Sequence, residues 1–554
     1  MWGTKDNKEN NNIVTVTSKE NENGSLGLEE QRELTLEDVT PKLTKWWFQY
    51  PHLLHLNVVL GCASLAQVTL GYDGSMMGNL QTLPSWSKYF NNPHGQILST
   101  MTNGITIGAM AATPLLTASG DRLKRKHVLA ASIFLTILGA ALQSASVNFG
   151  MFLGARMILG FGSAGMQVSA APLLAETAYP SQRPIMTSML QAAFPVGSFM
   201  AAILTWGPYQ SDMKYNNWSW RLPSLLQAVV PLLQAVLVCF CPESPRWLIA
   251  HGREDEAFEI LTKFHAGGDR DSELVRFEIA EISAAISREK IGRKISWMTW
   301  FASKANMHRL FITLALPSIL QLCGSSLIAY YFSIVLQDIG ITEPSDKLKI
   351  NIGLTLFGGV CALVFAVYSA KWRRKLVMQV SLGGMCIIFI IWIVLADINE
   401  KTQFKNKALG RGIIALLYFD MGFYHAFSPI GNTYVMEIVP YTLRGKASIL
   451  YSLASQVWIF YNNYVNNLGM DSISWRYYIV YCVLLFTHMV VIHFWFPETK
   501  GLGLEEVAKI FGEDISDLMF EAQQAIAEPA NLGKRKVEVN HIEDASVEEE
   551  EVDR

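Results

Sequence analysis

WRLPSLLQAVVPLLQAVLVCFCPES (residues 220–244) and WRYYIVYCVLLFTHMVVIHFWFPET (residues 475–499) are two copies of one plan. Each opens on Trp-Arg, continues without Asp, Glu, Lys or Arg, and closes on Pro-Glu followed by a hydroxyl residue. The spacing from Arg221 to Pro242 equals that from Arg476 to Pro497. A helix needs about 20 apolar residues to cross the hydrocarbon core of a bilayer, whereas barrel strands show weaker alternation over about ten. Each copy therefore predicts one helical crossing with a charge at each end. Working outward, the stretches 53–72, 97–119, 187–206, 310–336 and 376–396 are also free of acidic and basic residues. Adding 128–149, 151–174, 350–370, 412–436 and 447–465, and counting the quoted pair as 222–241 and 477–496, predicts an all-α membrane protein with twelve transmembrane helices. Only 17% of the chain is charged, against about a quarter for a soluble domain.

Other signatures recur with the same period. ETAYPSQR (176–183) is answered by EIVPYTLR (437–444), and the basic cluster 122–126 by 371–375. Six helices are thus repeated, giving two parallel six-helix halves. In that architecture the substrate site lies between the halves near mid-membrane and rocking exposes it to alternate sides. The predicted organisation is a disordered tail at 1–45, a first half at 46–241, a linker with short helices at 242–309, a second half at 310–497 and a second tail at 498–554. In the linker, apolar residues fall at helical spacing over 253–264 and 271–290. Lys and Arg nearly balance across the short loops. Their clustering at helix ends and in the linker places that side and both termini in the cytosol.

A net charge of -3 argues against nucleic acid as a partner. All seven cysteines fall within predicted helices and none forms a Cys-x-x-Cys pair, so no metal or other cofactor is expected. No constellation of catalytic residues marks an enzyme. The informative residues are the polar ones inside uncharged helices, where an unpaired amide is costly and so faces protein or water. Gln191, Gln321 and Asn432 are expected to line one cavity on this ground. Asn462 and Asn463 add polarity that serves either the cavity or helix packing. Asp420 interrupts its helix and is either a proton site or a structural partner of Tyr424 one turn on. Asp73 and Arg156, counted from their helix ends at about 1.5 Å per residue, share a depth roughly 10 to 15 Å below the outer surface. A carboxylate and a guanidinium facing each other there would pair, and rocking that parts them would let the acid take up or release a proton.

GYDGSMMGNLQTLP (71–84), RMILGFG (156–162), PLLAETAYPSQR (172–183), PESPRWL (242–248) and PETKGLGLEEV (497–507) occur in that order at helix ends. In these motifs the chain resembles the sugar-porter family of the major facilitator superfamily, and within it the fungal lactose-permease branch. The resemblance implies the major facilitator fold and transport of a sugar by alternating access. It also implies proton symport through Asp73 and Arg156, a monomer, and a plasma-membrane location with lipid around it. Two alternatives stand beside it, a facilitative uniporter and a membrane sugar sensor that does not transport. The family's gating charges map onto Asp121, Arg122, Glu176, Arg183, Glu243, Arg246, Glu437, Arg444 and Glu498, pairing when the inner gate shuts and parting when it opens. Its sugar pocket maps onto Gln191 and Gly197, and onto Gln321, Ser326 and Tyr330 in QLCGSSLIAYY, with Asn432 in the tenth helix. Leu320, Ser326 and Asn432 depart from the residues usual in hexose porters. Thr117 and Lys124 replace two glycines of the first basic loop, and Ser369 and Ala370 replace an Asp-Arg pair in the second.

Overall fold

The computed structural model describes residues 15–20, 26–31, 40–41, 46–119, 123–294, 296–338, 340–369, 372–402, 407–440, 443–502 and 504–512. Among them twelve helical crossings form two sets of six. In the first, α1 (Pro51–Gln81) leads through a short α2 (Pro84–Tyr89) to α3 (Gly95–Ser119), α4 (Arg125–Ser144) and α5 (Phe149–Thr177). The fifth crossing is divided into α6 (Arg183–Ala192) and α7 (Phe194–Gln210), and the sixth into α8 (Trp218–Leu226) and α9 (Val229–Phe240). The linker carries α10 (Pro245–Ala250), α11 (Glu254–Phe264), α12 (Glu273–Lys294) and α13 (Thr299–Ala302). The second set opens on a broken crossing, α14 (Lys304–Gln321) with α15 (Ser325–Asp338), followed by α16 (Pro344–Ser369) and α17 (Arg374–Lys401). Another broken crossing, α18 (Lys407–Phe427) with α19 (Ile430–Ile438), precedes α20 (Arg444–Ile473), α21 (Tyr478–Trp495) and a short α22 (Leu504–Ile510).

Local sequence accounts for the breaks. Pro195 sits in the first turn of α7 and Pro429 immediately before α19, where a missing N–H interrupts a helix but suits a restart. Between α14 and α15, Gly324 has φ +97, a left-handed conformation open to glycine, and a Cβ there would strike the Phe389 ring. Eight of the described helices are long and apolar enough to qualify as crossings on those grounds alone. Two of the others, α6–α7 and α18–α19, are cut at their breaks, and α20 carries Asn462, Asn463, Asn466 and Asn467. Large apolar side chains such as Phe134, Phe240, Ile387 and Phe486 are more than half exposed on the outer surfaces of the crossings. That is the apolar outer surface of a multi-pass membrane bundle.

Across the halves α3 packs along α20, α7 along α16 and α1 along α15. Within the first half, a Cβ at Gly197 would run into the Val68 carbonyl and one at Gly71 into the Phe194 carbonyl, so α1 and α7 meet backbone to backbone. Two boundaries differ from the sequence expectation. The seventh crossing starts at Lys304 rather than 310, because Ser303 caps the Asn306 N–H and starts the helix a turn and a half early. In the N-terminal segment expected to be disordered, β1 (Thr15–Glu20) and β2 (Leu26–Gln31) pair antiparallel. The Thr-Val-Thr run of β1 has the β-branched character that favours extended chain.

Candidate functional site

Asp73 lies in the eighth position before the end of α1 and is 2% exposed. Ser163 on α5 donates its hydroxyl to Oδ2 at 2.9 Å, and Gln227, at the junction of α8 and α9, donates its amide to Oδ1. Three crossings of one half therefore converge on this carboxylate. Arg156, also 2% exposed, lies seven residues before Ser163 on the same face of α5 and donates from Nη2 to the Thr102 carbonyl on α3 at 3.4 Å. Its charge acts favourably on Asp73, but the carboxylate's direct partners are Ser163 and Gln227. Tyr72, the preceding residue, donates its hydroxyl to the Pro223 carbonyl at 2.8 Å and fixes α8 against α1. Sequence reasoning missed Gln227, although it interrupts the apolar run of the quoted stretch 220–244 as plainly as Gln191 interrupts its own.

The second polar centre is the break between α14 and α15. Stopping α14 at Gln321 frees its carbonyl, and Asn462 on α20 donates to it at 2.6 Å. Ser326 Oγ lies 3.4 Å from both the carbonyl and the side-chain oxygen of Gln321, so these two predicted residues are brought together, and both are half-buried. The Tyr481 hydroxyl lies 2.9 Å from Asn462 Oδ1 and also against Asn466 Oδ1, sharing its one hydrogen between them, and Asn466 accepts from Tyr477 at 3.0 Å. Asn462 thereby takes the structural of its two expected roles. The turn carrying Gly431 abuts Leu320 and the Tyr451 hydroxyl, which places the backbone of Asn432 beside the end of α14. Gln191 lies on α6 and Tyr330 on α15; the side chains of Gln191, Tyr330 and Asn432 fall outside what is described. Asp420 on α18 is fully buried, and neither carboxylate oxygen has a hydrogen-bond partner among the described residues, so the expected bond to Tyr424 does not form. The Tyr424 ring packs against His425 instead.

On the face that carries the linker, the two halves repeat one arrangement atom for atom. Arg125 Nη2 lies 3.6 Å from Glu176 Oε1, and Arg374 Nη2 lies 3.0 Å from Glu437 Oε1. Ser244 donates to Glu176 at 2.5 Å, and Thr499 to Glu437 at 2.6 Å. Glu243 accepts from the backbone N–H of Lys126 at 3.3 Å, and Glu498 from that of Lys375 at 3.3 Å. Each acid of Pro-Glu therefore caps the helix that begins the third or ninth crossing, where the N-terminal dipole favours it. Arg183 pairs with Glu278 of the linker at 3.9 Å, and Arg444 donates to the Val439 carbonyl at 3.3 Å. Arg246, in α10, also lies on this face, while Asp121 and Arg122 lie outside the described residues. The pairs described on this face join residues within a half, or a half to the linker.

At the opposite face the contacts run between the halves and are uncharged. Asn351 donates to Asn79 Oδ1 at 2.5 Å, Gln210 to Ser345 at 2.8 Å and Asn103 to the Phe460 carbonyl at 3.3 Å. Asn467 donates to Ser99 at 3.2 Å and also to the Gly95 carbonyl. An amide seam thus closes this face, in a conformation whose arginine–glutamate pairs on the other face lie within each half.

The sequence model of a family described as "Sugar (and other) transporter" matches residues 59–511. Among curated proteins, the chain is 27% identical over 536 residues to "High-affinity glucose transporter 1" of Candida albicans, covering 92% of this chain and 96% of that protein. It is 27% identical over 433 residues to "Low-affinity glucose transporter HXT1" of Saccharomyces cerevisiae, covering 76% of this chain and 73% of that one. Among solved structures, the inward-open xylose transporter XylE of E. coli superposes with a TM-score of 0.68 at 20% identity, over 82% of this chain and 99% of that one. The proton:xylose symporter XylE bound to 6-bromo-6-deoxy-D-glucose gives 0.66 at 19%, over 84% and 100%.

Proposed function

The chain belongs to the sugar (and other) transporter family, and from that premise we propose that it carries a sugar across the plasma membrane by alternating access, in symport with a proton held at Asp73. The observation that carries the alternating-access reading is the asymmetry of the two faces. The amide seam joins the halves on one, while the arginine–glutamate pairs of the other lie inside each half. With the linker face and both termini in the cytosol, this is the inward-facing state, from which the sugar leaves for the cell.

In the same reading the sugar sits between Asp73 and the α14–α15 break. Gln321 and Ser326, half-buried beside that break, offer amide and hydroxyl groups that both donate and accept, the chemistry a sugar hydroxyl needs. Gln191, Tyr330 and Asn432 complete the pocket. When the halves rock, the gating charges re-pair across the linker face and the seam opens, so differential contacts in the two states set the equilibrium. Asp73 serves as the proton site because three crossings that move with the first half supply its surroundings: α1, α5 and the α8–α9 hinge. The substrate class is a hexose or a disaccharide, and a single chain forms the complete pathway.

The test is uptake of labelled glucose, galactose, xylose, lactose and cellobiose by transporter-null cells making this chain. Saturable uptake of one of them, with alkalinisation of a weakly buffered medium, supports symport. Uptake without alkalinisation leaves a uniporter, and sugar binding without uptake leaves a sensor.

A further inference from the structure

Ile413, Leu417, Asp420 and Phe427 fall at helical spacing on one face of α18, and all four are fully buried. That face points into an apolar core shared with Leu327 and Ile328 of α15 and with Met385 and Phe389 of α17. Neither oxygen of Asp420 has a hydrogen-bond partner among the described residues. Asp73 is the contrast, since Ser163 and Gln227 each give one of its oxygens a hydrogen and so provide for the ionised acid. A carboxylate without a donor in an apolar interior loses its hydration uncompensated, whereas the neutral acid loses only that of a hydroxyl and a carbonyl. The charges of the neighbouring helices are engaged elsewhere. Lys347 of α16 donates to Ser333 of α15, Asp346 pairs with Lys349 and Asp397 with Lys401, and Arg374 of α17 pairs with Glu437 of α19. On α18 itself Tyr418 turns to the Ile350 carbonyl and His425 to Gly358, both of α16. Among the described residues no third His, Cys, Asp or Glu joins Asp420 and Cys323 as a metal site would need.

We propose that Asp420 is a second proton-binding site, in the second half, which carries its proton in this conformation and thereby favours it. Two broken crossings enclose the acid. The Cys323 thiol, in the turn between α14 and α15, lies within reach of its charge, and α18 itself ends at Phe427, seven residues on, before restarting as α19. The pieces of a broken crossing shift separately when the halves rock, and irregular backbone at that depth is tolerated where it meets protein or a watery cavity. An acid that meets water there gives up its proton. The enclosed conformation holds the proton that the open one releases, so falling pH favours the conformation described here. The proposal rests on the reading that the halves rock, and not on coupling at Asp73.

Infrared spectra of the full-length protein in lipid nanodiscs read the proton directly, through the carbonyl stretch of a protonated carboxylic acid. At about pH 7, roughly three units above the ordinary aspartate value of about 3.9, the parent should show such a band. The difference between parent and Asp420→Asn should contain it, and Asp73→Asn should retain it. Spin labels at Met213 and Glu343 then read the conformation. In Asp73→Asn, lowering the pH from about 9 to about 6 should raise the short-distance population at least about fivefold, the lower end of typical couplings between sites. The double variant Asp73→Asn/Asp420→Asn should not respond. Identical acid bands in parent and Asp420→Asn overturn the proposal, and so does a double variant that keeps the pH response. An Asp73→Asn protein without any acid band at about pH 7 overturns it even if Asp420→Asn fails to fold. Absence of sugar uptake by a protein with band and response intact would count against the transport reading alone.

Discussion

Gln227 donates its side-chain amide to Oδ1 of Asp73, tying the hinge of the sixth crossing to the last third of the first. Ser163 supplies the other oxygen's partner at 2.9 Å, so each carboxylate oxygen depends on one donor from a different helix. Leaving a buried acceptor unsatisfied costs about 1–3 kcal/mol. Gln227→Leu should therefore lower the maximal rate of sugar uptake at least about fivefold at unchanged surface abundance, as measured with labelled sugar and surface biotinylation. A wild-type rate in that variant would remove Gln227 from the proton site.

The two arginine–glutamate pairs make a second prediction. Arg374 and Glu437 are 16% and 31% exposed, so their pairing is partly screened and is expected to contribute about 1 kcal/mol. Glu437→Gln and Arg374→Ala should each slow transport about threefold to tenfold. The double variant should be no slower than the worse single one, since both remove the same contact. Rates that multiply in the double variant would mean the residues act separately.

How much of this was legible in the sequence follows from the range of each interaction. The repeat could be read from Trp-Arg, Pro-Glu and the paired Glu-to-Arg spacings because a bilayer forces polar residues to mark helix ends at fixed intervals. The expectation that Gln321 turns away from lipid rests on the same cost of burying polarity, whereas Ser326 entered only through the resemblance. Gln227 and Glu278 were missed because their meaning lies in partners far along the chain, Asp73 and Arg183, which no local period announces. The role of Asn462 depended on the chain breaking at Gly324, a backbone event that QLCGSS permits but does not dictate.

The amide seam predicts a shift in conformational balance. Asn467 holds Ser99 and the Gly95 carbonyl, and Asn351 holds Asn79, so each side chain favours the state in which this face is closed. At about 1 kcal/mol per hydrogen bond, Asn467→Ala and Asn79→Ala together should move the population toward the state in which this face is open by about tenfold or more. Spin labels at Met213 and Glu343, on either side of the seam, should show the longer distance gaining weight. An unchanged distance distribution would mean that the seam does not bias the equilibrium.

Gly324 offers a test of the broken seventh crossing. Its φ of +97 and the closeness of the Phe389 ring make any side chain there both strained and crowded. Gly324→Ala should cost at least about 1–2 kcal/mol and lower the thermal unfolding midpoint of the purified protein. A midpoint equal to the parent's would indicate that the break relaxes without penalty.

The central claim is that Asp73 couples sugar to protons. Its most direct measurement is accumulation of a transported labelled sugar by transporter-null cells at a series of external pH values, for the parent and for Asp73→Asn. The account predicts that the parent concentrates the sugar above the external level, increasingly so as the medium is acidified, while Asp73→Asn carries it only to equilibrium. A parent that never exceeds equilibrium at any external pH, or an Asp73→Asn protein that still concentrates the sugar, would contradict it.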